Sequence, residues 1–148
     1  MFCLGKDIRH ITGILKKKYD TSDPFEIAHQ MKVEYIIGPM GSYSGCYMYL
    51  KRHRCIFLNE NLTEHELRFV MSHELGHAIL HKDQNCYFIR HKTLLSCEKI
   101  EIEANRFALE LLIDDSVLEE NRHLTIEQLS RLLGYREELL KLRLPMES

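Results

Sequence analysis

Apolar residues recur along this chain with two different periods, and the switches between them mark out its elements. Within residues 5–19, Ile8, Ile11, Ile14 and Leu15 repeat at helical spacing, and the lysines at 16–18 form a basic end that complements a helix dipole. Thr21-Ser22-Asp23-Pro24 supplies a capping residue and a proline for the first helical position, so a second helix runs from there to about Met31. Residues 33–37 read as a short strand, broken by Gly38-Pro39-Met40-Gly41. Residues 44–50 and 54–59 are two further strand-like runs, and the basic turn at 51–53 makes them a hairpin. The helical period then returns. Leu67, Met71, Leu75, Ala78 and Ile79 share one stripe of a helix over 64–80, opened by a capping box of Thr63 and Glu66. Residues 82–95 have no period and read as a polar loop crossing the mouth of a cleft. Residues 96–113 form a second strong helix, with Ile100, Ala104, Phe107, Ala108, Leu111 and Leu112 in register. A turn or short helix over 114–122 and two short helices over 125–134 and 136–142 complete the chain. The pattern predicts an α+β fold in one domain over residues 1–148, with helices packed around a short antiparallel sheet.

Composition narrows the function classes. The chain has 148 residues, 45% hydrophobic and 28% charged, which suits one globular domain with a real core. A net charge of −2 gives no bulk attraction to nucleic acid or to an anionic membrane. The region around 125–142 has the outline of half a helix-turn-helix, but it lacks a basic face and reads as packing; no direct nucleic-acid binding is expected. Lys6, Asp7 and Arg9 are followed by no long apolar run, so no signal peptide is expected, and no stretch is long enough to span a membrane. The five cysteines are odd in number and include no C-x-x-C pair. Reduced thiols in a cytoplasmic protein are the expectation. Two exceptions are open: Cys46 facing Cys55 across the hairpin, and Cys97 approaching a metal.

The chemistry concentrates in residues 72–81, SHELGHAILH, which contain His73-Glu74-Leu75-Gly76-His77. Four residues advance a helix by about 6 Å and turn it about 40° past a full turn, so the two histidines stack on one face and can grip one ion. Glu74 follows the first ligand and stands beside the ion, as a general base for an activated water does. A helical wheel sets His73 and His77 roughly 150° from the centre of the apolar stripe, facing away from the core toward a cleft. A catalytic site needs a third protein ligand. His81 lies about 6 Å beyond His77 along the axis, too far for the same ion, and reads as a cap or as a supporting partner. A metzincin pattern fails, because Leu80 and Asp83 stand where glycine and histidine are required. Glu101 and Glu103 remain. The wheel groups Glu103 with Arg106 and Glu110 on a polar face, whereas Glu101 flanks the buried stripe in line with Asn105 and Ala108. An inward carboxylate needs a cation, so Glu101 is the better ligand. Asn105, one turn on, can orient a ligating histidine through its second nitrogen.

The run at 72–81, followed by Glu101-Ile102-Glu103-Ala104-Asn105-Arg106-Phe107-Ala108 and Leu111-Leu112, resembles the ImmA/IrrE family of zinc metallopeptidases. The similarity extends to Asp23-Pro24-Phe25, Phe57-Leu58-Asn59 and Arg143-Leu144. The resemblance implies a gluzincin-like, zincin-type fold with zinc between two helices, held by His73, His77 and Glu101, and with Glu74 catalytic. It also implies a protein substrate, a helix-turn-helix repressor of a phage or mobile element. One departure is visible: Leu111-Leu112-Ile113-Asp114 stands where the family often has a proline. Peptide hydrolysis further needs an oxyanion donor, for which Tyr43, Tyr47, His53, Tyr87 and His91 are unranked candidates. A strand beside the metal helix could take up an extended peptide by backbone pairing. The rival reading is a zinc-stabilised module that inactivates a repressor by binding alone.

Overall fold

The computed structural model describes residues 4–89 and 98–144. Its elements in chain order are α1 (Leu4–Tyr19), α2 (Pro24–Gln30), β1 (Glu34–Gly38), β2 (Tyr43–Leu50), β3 (His53–Asn59), α3 (Glu64–Leu80), β4 (Cys86–Ile89), α4 (Lys99–Leu112), α5 (Asp115–Glu120), α6 (Ile126–Leu133) and α7 (Glu137–Arg143). This is the α+β architecture that the hydrophobic pattern predicts. Local chemistry starts and stops the helices where expected. Asp23 accepts from the Phe25 amide with Pro24 at the first position of α2, and Thr63 and Glu66 form both halves of the capping box on α3. Thr125 and Gln128 repeat the box on α6, which ends at Gly134 in the left-handed conformation.

The sheet has the order β1-β3-β2-β4. β2 pairs antiparallel with β3 through a two-residue turn, in which Lys51 and Arg52 both take positive φ (48° and 67°), the twist that hairpin strands favour. Two features depart from the sequence reading. β1 runs parallel to β3: β1 and β2 point in opposite directions, but β3 inserts between them and so meets β1 running the same way. The segment read as a loop over 82–95 contains β4, which pairs with β2 across an irregularity at Tyr43 and Gly45; residues 90–95 lie outside the described residues. Four residues are too few to show a period, so this strand is specified by its partner. The hairpin register sets Cys46 against Phe57 and Cys55 against Met48, and both thiols are free, so no bridge joins them. Cys97 lies outside the described residues.

Helix α3 stands between the sheet and α4, and its packing against α4 is the most extensive contact between helices. Behind α4 lie α1 and α7. Every residue from Phe69 to Ala78 is buried. The turn that lacks the proline is built another way: α4 stops at Leu112, Asp114 caps α5, and Arg143 donates through Nε and Nη2 to the Ile113 carbonyl at 3.1 and 2.7 Å. Among the described residues, no helix is long and apolar enough to cross a membrane.

Candidate metal centre

Helix α3 brings His73 and His77 onto the face that meets the first turn of α4, where Glu101 projects. The face that the wheel set toward an open cleft is in fact closed: His73 is 0% and His77 1% exposed. Polarity along a helix reports the chemistry of each face, and here the polar face is buried because its groups satisfy one another and leave a common centre. His73 Nε2 lies 3.1 Å from Glu101 Oε1, His77 Nε2 lies 3.2 Å from Glu101 Oε2, and the two Nε2 atoms are 3.2 Å apart. One ligand atom from each of the three residues falls within 4.8 Å of the others, and this is the metal-capable cluster among the described residues.

Hydrogen bonds behind the centre fix which ring nitrogens carry protons. His73 Nδ1–H donates to Asn105 Oδ1 at 2.7 Å, which leaves the Nε2 lone pair facing inward. On the other ligand a longer relay operates. His81 Nε2–H donates to Glu103 Oε1 at 2.7 Å; the unprotonated His81 Nδ1 accepts from His77 Nδ1–H at 3.1 Å; and His77 Nε2 is again left as a lone pair. The sequence set Asn105 where it could meet a second ring nitrogen, and its Oδ1 lies against His73 Nδ1; it also allowed His81 a supporting role. It set Glu103 on a polar outer face, whereas Glu103 is 5% exposed and anchors the relay. The signal was the continuation of the histidine row at residues 73, 77 and 81, since a third buried imidazole needs a partner.

With these tautomers, three acceptors converge with no donor between them. Such a set is repulsive unless a cation lies at its centre, and two nitrogens plus a carboxylate suit a borderline-soft divalent ion. Tetrahedral ligands about 2.0–2.1 Å from zinc stand about 3.3 Å from one another, close to the separations here. The residues therefore fit a metal. Where a proton stands in for that cation, burial raises the Glu101 carboxyl, but hydrogen bonds from the rings of His73 and His77 outweigh it and hold it at about 2. Burial lowers His77 below the ordinary histidine range, against the pull of Glu101.

Glu74 stands beside this cluster without belonging to it. It is 0% exposed, and neither carboxylate oxygen has a hydrogen-bond partner among the described residues. Burial, and then the charge of Glu101, push its pKa well above the usual carboxylate range. A divalent cation a few ångströms away acts in the opposite direction. The β2 backbone comes close at Gly45, where a Cβ would stand 3.1 Å from Glu74 Oε2 and 2.7 Å from Val70 Cγ1. Only a residue without a side chain fits against both, a close approach that sequence alone did not single out.

The oxyanion candidates separate. Tyr47 is 0% exposed and its hydroxyl donates to the Lys82 carbonyl at 2.7 Å, so it ties β2 to the end of α3. His53 is exposed at the far end of the hairpin, beside Glu34. Tyr43, at the near end of β2, is 39% exposed. The Tyr87 backbone pairs with Cys46. His91 lies outside the described residues.

Comparison with known proteins bears on what this arrangement is for. The family described as the IrrE N-terminal-like domain matches residues 20–145. A protein named metallopeptidase ImmA, from Bacillus subtilis (strain 168), is 32% identical over 118 residues, covering 78% of this chain and 69% of that protein. This chain belongs to the ImmA/IrrE metallopeptidase family. A second relative, the uncharacterized immunity region protein 2 of Bacillus phage phi105, is 41% identical over 132 residues, 87% of this chain and 84% of its own length. The matched region contains α3, α4 and every residue of the cluster. Membership makes the chain a metallopeptidase and accounts for a metal-capable centre in a small α+β fold.

Proposed function

We propose that this chain is a zinc endopeptidase in which His73, His77 and Glu101 hold the ion, Glu74 is the general base, and Asn105 orients His73. The observation that carries this reading is the convergence of three acceptors on one point, beside a buried carboxylate whose oxygens have no partner among the described residues. When bound, zinc supplies Lewis acidity, acidifying water and polarising a carbonyl. The chain's own residues do the rest. Asn105 and the His81–Glu103 pair keep the two imidazoles in the tautomer that presents Nε2. Glu74 takes a proton from the attacking water and delivers it to the leaving amine. Its oxygens suit that task, since no donor among the described residues occupies the lone pairs that must accept the proton.

The substrate of this reading is a helix-turn-helix repressor of a phage or mobile element, met in the cytoplasm. The name of the phage relative, an immunity region protein, supports this assignment. The whole of residues 1–148 acts as one unit. The experiment is co-expression with such a repressor, comparing wild type with Glu74→Gln. The near-isosteric change keeps zinc and fold but removes the base, so wild type yields repressor fragments and the variant yields none, a loss of roughly 10²–10⁴-fold. If both leave the repressor intact yet both relieve repression, the domain works by binding and the peptidase reading fails.

A further inference from the structure

The sheet order leaves one side of β1 unpaired, and the strand that forms this edge is apolar: Tyr35, Ile36 and Ile37 are 41%, 61% and 46% exposed. Edge strands of folded proteins are usually guarded by lysine, proline or a bulge. Glu34–Gly38 contains neither residue, and its register with β3 runs unbroken. We propose that this edge pairs with the same edge of a second copy of the chain, antiparallel and centred on Ile36, so that two sheets join into one. β2, which sets Gly45 against Glu74, lies beyond β3 from this edge, so the pairing stands apart from the metal cluster.

Backbone polarity fixes the register. The Glu60 amide donates to the Gly38 carbonyl at 2.9 Å, so Gly38 turns its polar groups toward β3. By the alternation of a parallel ladder Ile36 and Glu34 do the same, and Tyr35 and Ile37 turn theirs outward. The outward row is limited at both ends. The Val33 amide is committed to the Ala28 carbonyl at 2.8 Å, and Pro39 has no amide. What remains is symmetric about Ile36. In the antiparallel pair, Tyr35 exchanges both its hydrogen bonds with Ile37 of the second copy, and Ile37 does so with the second Tyr35. Shifting the register by two residues leaves a carbonyl of Ile37 or Tyr35 facing Val33 or Pro39, neither of which has an amide to give. A strand of another protein has no reason to share both limits, whereas a second copy shares them by symmetry.

Side chains and charge agree with this register. Tyr35 and Ile37 align with Ile56 and Leu58 on the face that α3 covers, and they meet across the two-fold axis as an aromatic and β-branched pair. Ile36 aligns with Phe57 on the opposite face and meets its own copy. Glu34, the charged residue of the strand, falls opposite Gly38, and its carboxylate already lies 3.7 Å from His53. No like charges are brought together. The contact is short, so the dimer should form with a dissociation constant of roughly micromolar order.

Sedimentation equilibrium of the full chain, from roughly 1 to 200 µM, tests this. The mass should rise from the 17.6 kDa of one chain toward twice that value. Ile37→Pro removes an outward amide without taking a bond from the β1–β3 ladder, and Ile36→Lys sets two cations across the axis; each should weaken association by about tenfold or more. Leu132→Lys changes an apolar residue that is 57% exposed on α6 and should leave association unchanged. Cross-linking reads the register. Under mild oxidation Ile36→Cys should give a disulfide-linked dimer, whereas Gly38→Cys, whose two copies stand about 13 Å apart along the strands, should link no more than wild type. A chain that stays single at the highest concentration overturns the proposal and leaves the edge to a strand of another protein. Dimers that survive both Ile37→Pro and Ile36→Lys in folded protein, or that Leu132→Lys disperses equally, place the contact elsewhere and overturn it too. Linkage through Gly38→Cys but not through Ile36→Cys overturns the Ile36-centred pairing.

Discussion

Helix α4 carries buried acids at both ends, and their surroundings differ in kind. At its C-terminal end Glu110 lies 3.4 Å from Arg9 and 3.6 Å from Arg143, and Arg143, 5% exposed, also donates to Asp115 and to the Ile113 carbonyl. Anion, cation and carbonyl are all matched within the chain, and the result fastens α1 and α7 to the end of α4. At the N-terminal end, Glu101 meets two imidazoles held as acceptors, beside a further buried acid, Glu74 of α3, that has no hydrogen-bond partner among the described residues. Buried charge that is satisfied internally reads as structure; buried acceptors that converge on one point read as a cation site. Burial does not separate the two clusters, since Glu101 and Glu110 are each 8% exposed.

Substitutions at the two ends should therefore separate zinc from stability. Glu101→Gln removes one of three ligands and should abolish stoichiometric zinc, as should His73→Ala or His77→Ala, measured by metal analysis of purified protein. The metal-free variant should still fold cooperatively, because the amide keeps an oxygen facing the two rings. Arg143→Met should do the reverse. Removing the cation from a buried network costs about 3 kcal/mol in denaturant unfolding, and the folded fraction should keep full zinc. Full zinc occupancy in Glu101→Gln, or stable metal-free Arg143→Met, would erase the distinction between the two ends.

A smaller effect probes the relay behind His77. Glu103→Leu removes the acceptor that sets the His81 tautomer and should weaken zinc roughly 10–100-fold in chelator competition. Glu103→Gln keeps an acceptor oxygen and should lose less. Equal affinity in all three proteins would mean that His77 orients itself unaided.

How far the sequence foretold these outcomes depended on whether the relevant fact was local. The helix starts at Asp23, Thr63 and Thr125 were legible because capping is a matter of three or four adjacent residues. His73, Glu74 and His77 were legible because helical spacing alone places them, and Glu101 with Asn105 because both flank a clear apolar stripe. What failed was long-range. The polar face of α3 looked solvated because nothing nearby in sequence shows that α4 covers it. Glu103 looked like a surface acid because its partner, His81, lies on another helix. β1 could not be seen to run parallel to β3, because strand order is set only when the hairpin folds against it. Gly45 carried no local sign of its closeness to Glu74.

The smallest effect expected is a difference in acid stability that isolates the structural end of α4. Hydrogen bonds from Arg9 and then Arg143 hold the Asp115 carboxyl at about 2, below its ordinary value of 3.8. A group depressed in the folded state adds stability above its unfolded value. That contribution is lost as the pH falls through about 4 toward 2, because the unfolded chain then binds the proton more readily. The side chain of Asp115 is 63% exposed, so solvent screens the gain and the loss should be modest. Glu101 is also held at about 2 and titrates in the same window, so the total acid dependence of the wild type mixes the two ends. Asp115→Asn resolves them. Denaturant unfolding of metal-free wild type and variant at a series of pH values between 5 and 2 gives two curves in which Glu101 is common. Their difference should be largest near pH 5 and shrink steadily toward pH 2. A constant difference across that range would mean that Asp115 does not draw its low value from Arg9 and Arg143, and that the paired end of α4 is held by the Arg143 bonds to the Ile113 carbonyl instead.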